Sequence, residues 1–421
     1  MDLVKKFYND LKEKQLIRLA LVFISPVLFY FYNKSGVIFL LFLISLFLLY
    51  LVRLNLRIKA AVALLDLLVV IPLAGIGNSY FLGVITQIVI YAVLAIGLNV
   101  VIGFAGLLDL GYVGFYAVGA YLYAFFATSQ ANNVIPEALF QFPVSGNWFW
   151  LFLPISMVVA AGVGVLLGLP VLRLKGDYLA IVTLGFAEII RIILNNADKP
   201  INLTNGPKGL TPIKPPELFG IVMNQPIHFY FIVLALFVIV FTAAHRLDHS
   251  RIGRAWTAIR EDELAARTMG VPLVRMKLLA FATGAGFAGM MGVVFAARQT
   301  FIDPSSFGFM ESIGILAMVI MGGMGNIRGV VVGAAAVVTL QLHLLKELST
   351  FLTQLSVSGI INIPSQLDPA KYEKLVFGLI LILMCIFSPR GLMPPKRTME
   401  LIKSFKKKRS DKDDKTVMIT E

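Results

Sequence analysis

Long apolar runs, repeated along most of the chain, constrain its fold more than any other feature. A run such as residues 81–102 is long enough to cross the hydrocarbon core of a bilayer as a helix, which takes about 20 residues. Twelve such segments can be marked, but several are short or interrupted by Gly and Pro, so we expect ten to twelve spans. They lie near residues 16–32, 36–52, 60–76, 81–102, 113–127, 148–172, 177–194, 227–244, 276–297, 308–325, 328–345 and 374–389.

A large soluble protein with a single core is the alternative interpretation of so apolar a chain. Of its 421 residues, 58% are hydrophobic and 14% are charged, whereas about 25% are charged in an ordinary soluble domain. Surface helices of a soluble protein also need a polar face, and these runs are polar on no side. The sequence therefore predicts an all-α fold, a polytopic transmembrane helical bundle.

Lysine and arginine indicate how the bundle is oriented, because they accumulate in short cytoplasmic loops. The loop at 128–147 contains neither residue, whereas the loop at 245–277 contains seven. Alternating the spans from these loops places both termini in the cytoplasm. The same bias, together with a basic tail at 396–421, accounts for the net charge of +13 without a nucleic-acid partner.

The sequence contains no pattern of a metal, cofactor or catalytic site. Its four histidines are scattered and its one cysteine, Cys385, has no partner for metal-ligand spacing. A phosphate-binding loop is absent because no Gly-Lys pair occurs. The glycines of GAGFAG at 284–289 lie inside an apolar span, where small residues allow close helix packing. We therefore expect this chain to bind no metal and no cofactor, and we expect that it is not an enzyme.

Charged residues inside the spans are candidates for function because their insertion is costly. Glu188 and Arg191 are three residues apart and are expected to neutralise each other on one helical face. Asp109 adjoins glycines near the end of a span, where it is expected to fix a loop. Asp66 and Glu311 lie deeper and have no sequence partner. They are either buried beside polar groups or relay protons in an ion-coupled carrier.

One charged amphipathic stretch, GRAWTAIREDELAARTMGV at 253–271, lies between two apolar spans. Its seven charges between Arg251 and Arg267 exclude insertion, so we expect a cytoplasmic helix of about four turns that stops at Gly270. Its buried face is predicted to contain Trp256, Ile259 and Ala266. A lipid-bound helix would have a basic face, whereas this helix has an acidic cluster, which favours a protein partner. The cluster consists of Glu261, Asp262 and Glu263.

Several stretches resemble the permease subunits of ABC importers. Ala265, Ala266 and Gly270 match the last part of the E-A-A-x-x-x-G pattern of their coupling helix, with Leu264 in place of Glu. Stretches at 95–121, 174–191, 321–334 and 388–392 are similar, in order, to the branched-chain amino acid permeases of the LivM type. The loop TNGPKGL at 204–210 resembles the family's T-G-G-x-x-G-L, with Asn205 where Gly is usual.

The resemblance covers residues 60–395 and implies a domain organisation. Residues 1–59 would be an N-terminal extension with two transmembrane helices, residues 60–395 the permease core, and residues 396–421 a basic cytoplasmic tail. It also implies a bacterial inner-membrane location and an ABC importer permease fold. The coupling helix at about 253–271 would act through Arg260, Glu261, Asp262, Glu263, Ala265, Ala266 and Gly270.

The partners that the resemblance implies carry the energy source and the selectivity. They are a second homologous permease, two ATPase subunits that bind ATP and Mg, and a periplasmic protein that delivers leucine, isoleucine or valine. A relative of the same architecture that carries urea or another amino acid is an open alternative. A third hypothesis is an ion-coupled secondary carrier that acts through Asp66 and Glu311. This hypothesis leaves the helix at 253–271 unexplained.

Two glycine-rich stretches, 103–116 and 321–329, are the predicted translocation path. Polar solutes cross membranes at interrupted helices, where backbone groups become available. The glycines would equally suit close helix packing, and that interpretation stays open. The predicted path residues are Gly103, Gly106, Asp109, Gly111, Gly322, Gly323, Gly325 and Asn326.

Overall fold

The computed structural model describes most of the chain and consists almost entirely of helices. The described residues are 15–32, 36–52, 55–135, 142–171, 174, 176–357, 372–388 and 391–393. The predicted basic tail at 396–421 lies outside them. Seven helical segments in this described part are long and apolar enough to cross a membrane, and three shorter helices are also apolar. The all-α, polytopic prediction is therefore confirmed.

Each of the twelve predicted segments overlaps at least one described helix. The N-terminal half of the chain contains α1 Gln15–Phe31, α2 Gly36–Leu51, α3 Leu56–Leu65, α4 Ile71–Gly77, α5 Ser79–Asn99, α6 Tyr112–Phe126, α7 Phe149–Val171 and α8 Asp177–Asn196. The C-terminal half contains α9 Pro226–His249, α10 Arg251–Glu261, α11 Glu263–Thr268, α12 Leu273–Gln299, α13 Phe309–Gly322, α14 Ile327–Thr339, α15 Leu345–Val357 and α16 Glu373–Phe387.

Short irregular elements complete the chain. Three π-helical turns continue neighbouring helices, at Asp66–Val70 between α3 and α4, Val100–Phe104 after α5, and Leu340–Leu344 between α14 and α15. A two-stranded antiparallel hairpin pairs β1 Glu217–Leu218 with β2 Ile221–Val222. Short 3-10 turns lie at Ser129–Asn133, Gly146–Trp148, Gly206–Lys208 and Pro304–Phe307.

The centre of the bundle is formed by α5 and α12. In the most apolar stretch of the helical segment that contains α5, 83% of the residues are buried, whereas 28% are buried in the stretch that spans α3 and α4. Helix α12 packs against α5, α6 and α7, and α5 also packs against α9 and α14. Small residues permit this proximity, because a side chain at Gly119 of α6 or Gly292 of α12 would collide with the backbone of the other helix.

The two N-terminal helices contact the rest of the bundle through aromatic rings. Phe29 of α1 stacks on Phe42 of α2 at 4.7 Å between centroids, and Phe39 stacks on Phe81 of α5 at 4.5 Å. His343, buried in the turn after α14, has its Nε2 3.1 Å from the carbonyl oxygen of Gly36. The two described helices of the extension predicted for residues 1–59 therefore pack directly on the core, and the boundary of the extension stays a prediction.

Helix direction divides the bundle into two ends. Helices α10 and α11 join α9 to α12, and we call residues 250–272 the connector and this end the connector end. The hairpin precedes α9 and so lies at the opposite end, together with the last turn of α12 and the first turn of α13. The connector and the cavity described below lie at opposite ends.

Candidate functional site

The connector is two helices rather than the single helix predicted for 253–271. Helix α10 ends at Glu261, and Asp262 adopts an extended backbone with φ −155° and ψ 110°. Its carboxylate then accepts hydrogen bonds from the amides of Leu264 and Ala265, at 2.8 and 3.0 Å, and so caps α11. An aspartate at this position stabilises the start of a new helix better than the interior of a continuous one.

The predicted buried face of the connector is confirmed. Trp256, Ile259 and Ala266 are 0%, 5% and 3% exposed. The Trp256 indole donates a 2.7 Å hydrogen bond to the carbonyl of Met276 in α12. The predicted stop at Gly270 is also correct: its φ of +82° is a conformation that glycine adopts without strain.

The acidic cluster of the connector is not one exposed surface. Glu263 was predicted to face a partner, but its Oε1 lies 2.7 Å from Nζ of Lys277 in α12, whose side chain is 5% exposed. An ammonium in so buried a position needs a counter-charge. Glu263 therefore holds α11 against α12, whereas Glu261 and Asp262 are exposed.

Two large apolar side chains, one in α11 and one directly after it, are exposed on the connector instead. Leu264 is 73% exposed and Met269 is 83% exposed. Ala265, Arg267 and Thr268 are exposed beside them. A short, well-anchored helix that presents two large apolar residues to solvent has the character of a protein-binding surface.

Behind the connector, glycines of distant segments meet at what we call the glycine junction, formed by Gly103, Gly106, Gly325, Asn99 and Arg260. The Asn99 side chain is fully buried and accepts a 2.8 Å hydrogen bond from the amide of Gly325. The Arg260 guanidinium donates to the carbonyl of Gly103. A Cβ on Gly103 would collide with both Asn99 and Gly325, and one on Gly106 would meet Arg260 at 2.8 Å.

The remaining predicted path residues pack in the same manner. The backbone of Gly111 lies against the carbonyl of Thr183, and its amide donates to Asp109 at 2.8 Å, which confirms that Asp109 fixes a loop. Gly322 packs on Gly329 of α14, and Gly323 lies against Gly391. Asn326 donates to the carbonyl of Met393 at 2.9 Å. The helices are interrupted as predicted, and these glycines make close contacts; their part in translocation stays a prediction.

A cavity of about 670 Å³ lies toward the opposite end, among α5, α12, α13 and the turns after α14. Four polar side chains connect across it. Arg298 of α12 donates to the side-chain oxygen of Gln87 and to the carbonyl of Gly83, the latter at 3.2 Å. One turn further along α5, the Tyr91 hydroxyl donates to Glu311 of α13 at 2.9 Å. Lys346 also lines the cavity.

The two deep carboxylates of the sequence have different surroundings. Glu311 lines the cavity, whereas Asp66 is 2% exposed at the π-helical turn after α3 and does not line it. Among the described residues, Oδ1 of Asp66 has no hydrogen-bond partner. The structure therefore does not bring these two residues together.

The predicted ion pair between Glu188 and Arg191 is confirmed on α8. Glu188 Oε2 lies 2.8 Å from Nε of Arg191, and the two side chains are 33% and 37% exposed. Exposed apolar residues surround the pair along the same helix: Tyr178, Ile181, Val182, Ile189, Ile192 and Ile193. The pair therefore lies on the outside of the described bundle.

The hairpin at the opposite end has an unusual tip. Phe219 is 94% exposed and adopts φ +51°, which is uncommon for a bulky residue. Below it, the Trp150 indole donates to the carbonyl of Glu217 at 2.9 Å. The loop at 204–210 lies at this end too, and Asn205 has φ +58°. That conformation suits Asn nearly as well as the Gly usual in the resemblance.

Sequence reasoning missed most of the cavity. It singled out Glu311 but not Arg298, Gln87 or Tyr91. A usable signal existed in α5, where Gln87 and Tyr91 are four residues apart and therefore share one face of an apolar helix. Within the described residues, no cluster of three or more metal-binding side chains is found.

Comparisons with known proteins agree with this architecture. Residues 80–385 match the family described as branched-chain amino acid transport system / permease component. The high-affinity branched-chain amino acid transport system permease protein LivM of Salmonella typhimurium is 39% identical over 342 residues, which cover 76% of this chain and 71% of that protein. LivM of Escherichia coli is 38% identical over 366 residues, which cover 82% and 76%. No solved structure matches the chain.

More distant relatives include both permease types. A probable LivM of Methanocaldococcus jannaschii is 25% identical over 73% of this chain, and LivH of Salmonella typhimurium is 25% identical over 58% of it. Membership of this family makes the chain a transport permease subunit rather than an enzyme, as the sequence predicted. By the match over residues 80–385, the chain belongs to the family of branched-chain amino acid transport permeases.

Proposed function

We propose that this chain is a membrane-spanning permease subunit of an ATP-driven importer for leucine, isoleucine and valine. Its partners would be a second homologous permease, two ATPase subunits that bind ATP and Mg, and a soluble substrate-binding protein. The connector end would face the cytoplasm of a bacterium, and both termini would lie there. Identity of 39% to a branched-chain amino acid permease over 76% of the chain supports the substrate class.

The connector is the observation that carries this proposal. It is fixed to the bundle by Trp256 and Ala266, yet it exposes Leu264 and Met269 to solvent. A helix in this arrangement suits insertion into an apolar groove of another protein. We assign that groove to an ATPase subunit, because the importer needs a rigid cytoplasmic contact through which hydrolysis can move the bundle.

Three contacts would carry movement from the connector into the membrane. Trp256 bonds to α12, Glu263 pairs with Lys277 of α12, and Arg260 bonds to the end of the helix that contains α5. Helices α5 and α12 are also the centre of the bundle. A force on α11 would therefore reach both central helices directly.

The second permease would cover the outer face of α8. The Glu188–Arg191 pair lies near the middle of this 20-residue helix, and charges at that depth are costly against lipid. A protein surface with hydrogen-bonding groups, or water held between two subunits, would remove that cost. Gly185 beside the pair has open space in front of it, which allows a neighbouring helix to approach closely.

The binding protein would dock at the opposite end. The hairpin is firmly supported by Trp150, while the exposed Phe219 at its tip offers an aromatic anchor of the kind that dominates protein interfaces. This assignment gives the two ends different partners.

A reciprocal pair of variants tests the arrangement. Leu264→Asp is expected to lose the ATPase subunits on purification in mild detergent and to abolish leucine uptake. Phe219→Asp, the matched change at the other end, is expected to retain the ATPases but to lose stimulation of their ATP hydrolysis by the binding protein. Co-purification of the ATPases with Leu264→Asp at the parental yield would contradict the docking role.

Substrate class is tested separately, in proteoliposomes that contain the complete importer. Uptake of labelled leucine should require ATP on the side of the membrane that carries the ATPase subunits, and isoleucine and valine should inhibit it but urea should not. Inhibition by urea alone would assign the same architecture to another small polar solute. Uptake by this chain alone, driven by an ion gradient, would identify a secondary carrier instead.

A further inference from the structure

We propose that the cavity at the opposite end binds an amino acid in its zwitterionic form, with the carboxylate at Arg298 and the ammonium at Glu311. This inference rests on the proposed function for its transported solute. It adds a binding position inside the permease, distinct from the soluble binding protein.

Arg298 and Glu311, which line the cavity together with Lys346, are placed for a ligand that has both signs. Among the described residues, Arg298 and Glu311 form no direct ion pair; Arg298 is bonded to Gln87, and Glu311 is bonded to Tyr91 one turn further along α5. Arg298 is held by Gln87 and the carbonyl of Gly83, and a guanidinium has five donors in all. Donors therefore remain for a carboxylate, which guanidinium binds by paired hydrogen bonds.

Glu311 has corresponding capacity for an ammonium group. Its Oε2 accepts from Tyr91, and a carboxylate can accept about four hydrogen bonds. The side chain is exposed, and it lines the cavity. Tyr91 orients this carboxylate while Gln87 orients Arg298, so that the polar network fixes both charges in place.

The rest of the cavity suits an aliphatic side chain. Val84, Ile313, Met318 and Leu342 line it, and its volume of about 670 Å³ lies within the roughly 300–1,000 Å³ of small-ligand sites. Two glycines, Gly314 of α13 and Gly378 of α16, also face it. A Cβ added to either glycine would meet no atom within 4 Å, so this space is open.

A purely structural role explains only part of the arrangement. Arg298 could serve to join α12 to α5 through Gln87 and Gly83. That structural role would not explain the opposite charge of Glu311 on α13 or the open space beside Gly314. Charged residues inside a membrane protein face the bundle interior or water and mark solute pathways. The cavity lies near the last turn of α12, where a solute from the binding protein would enter.

Protection of a single cysteine tests the proposal. Gly314→Cys is made in a Cys385→Ser background, and the purified complex, without the binding protein, is reacted with N-ethylmaleimide. L-Leucine is expected to slow labelling. Leucinamide, which lacks the carboxylate, and 4-methylpentanoate, which lacks the ammonium, are expected to protect at least ~tenfold less well, because each forfeits a charge-assisted hydrogen bond. Gly378→Cys is the second probe, and Gly162→Cys, in open space on α7, is the control that leucine should not protect.

Two charge variants assign the groups. Arg298→Gln should raise the leucine concentration that gives half-maximal protection ~tenfold or more. It should also remove the preference for leucine over leucinamide. Glu311→Gln should remove the preference over 4-methylpentanoate. If the two residues had only a structural role, each variant would not lose the preference over a different analogue. Arg298→Lys, which keeps the charge, serves where Arg298→Gln does not yield folded protein.

The outcomes separate this proposal from the proposed function. Equal protection by leucine and both analogues, or none by leucine in a complex that imports leucine, would overturn the cavity assignment and leave the importer intact. Where uptake assays identify a different amino acid as substrate, that amino acid and its amide replace leucine in the same assay. Selective protection then supports the cavity although the branched-chain assignment fails.

Discussion

The glycine junction and the cavity lie at opposite ends of the same two central helices, and they use glycine in opposite ways. At the junction, Gly103 leaves no room for a Cβ, because Asn99 and the backbone of Gly325 fill the space. In the cavity, Gly314 faces open space. In the first region, side chains bond directly to close-packed glycine backbone, whereas the second is shaped by side chains around a void. A glycine-rich sequence therefore indicates close packing in one place and room for a solute in another.

The largest expected effect comes from filling the junction. Gly103→Leu should lower the free energy of unfolding by more than about 3 kcal/mol, because overpacking here meets backbone that cannot shift cheaply. The thermal midpoint of the detergent-solubilised protein, followed by gel filtration, measures this loss. A folded Gly103→Leu protein of parental stability would mean that the junction is as open as the cavity.

Filling the cavity should have the reciprocal effect. Gly314→Leu is expected to leave the thermal midpoint unchanged but to reduce leucine uptake about tenfold or more, since the new side chain occupies the solute's space without displacing protein atoms. Gly162→Leu, also in open space but on α7, is the matched control and should retain uptake. A stability loss in Gly314→Leu as large as in Gly103→Leu would remove the distinction between the regions.

The positions of the helices could be predicted from the sequence, whereas the cavity could not. Apolar runs of about 20 residues predicted where most of the membrane helices lie, because crossing the hydrocarbon core requires such lengths. Helical periodicity placed Trp256, Ile259 and Ala266 on one face for the same local reason. Both signals come from residues close together in sequence, so no tertiary knowledge was needed.

The cavity could not be found in this way, because its polar side chains come from distant helices. Arg298 lies 211 residues from Gln87, and Glu311 lies 220 residues from Tyr91. The break at Asp262 was missed for a different reason: an alanine-rich stretch favours a continuous helix, and only the capping contacts of the fold show that Asp262 starts a new one.

An intermediate effect is expected where the connector joins α12. Lys277→Met should destabilise the protein by about 1 kcal/mol, less than a fully buried broken pair would cost, because the Glu263 side chain is 28% exposed and reaches water. ATP-driven uptake should fall further than this small loss of stability would explain, since one of the three contacts to the central helices is removed. The double variant Glu263→Gln with Lys277→Met should recover stability but not uptake.

The smallest effect concerns the turn between α12 and α13, beside the cavity. Burial alone raises the pKa of the Asp303 carboxyl, but hydrogen bonds from Ser305 and Ser306 outweigh it and hold the pKa below its ordinary value. A lowered folded-state pKa stabilises the protein above the unfolded pKa of about 3.9, and that stabilisation is lost as pH falls through the folded value. Asp303→Asn should therefore lower the thermal midpoint slightly at pH 7, and the difference from the parent should shrink as the pH falls below about 4 and vanish below the folded-state pKa. Ser305→Ala combined with Ser306→Ala should give the same pH dependence, because the stabilisation requires both the charge and its donors. A difference that persists unchanged in acid would mean that the turn is held by close packing of the side chain, as at the glycine junction, and not by charge as in the cavity.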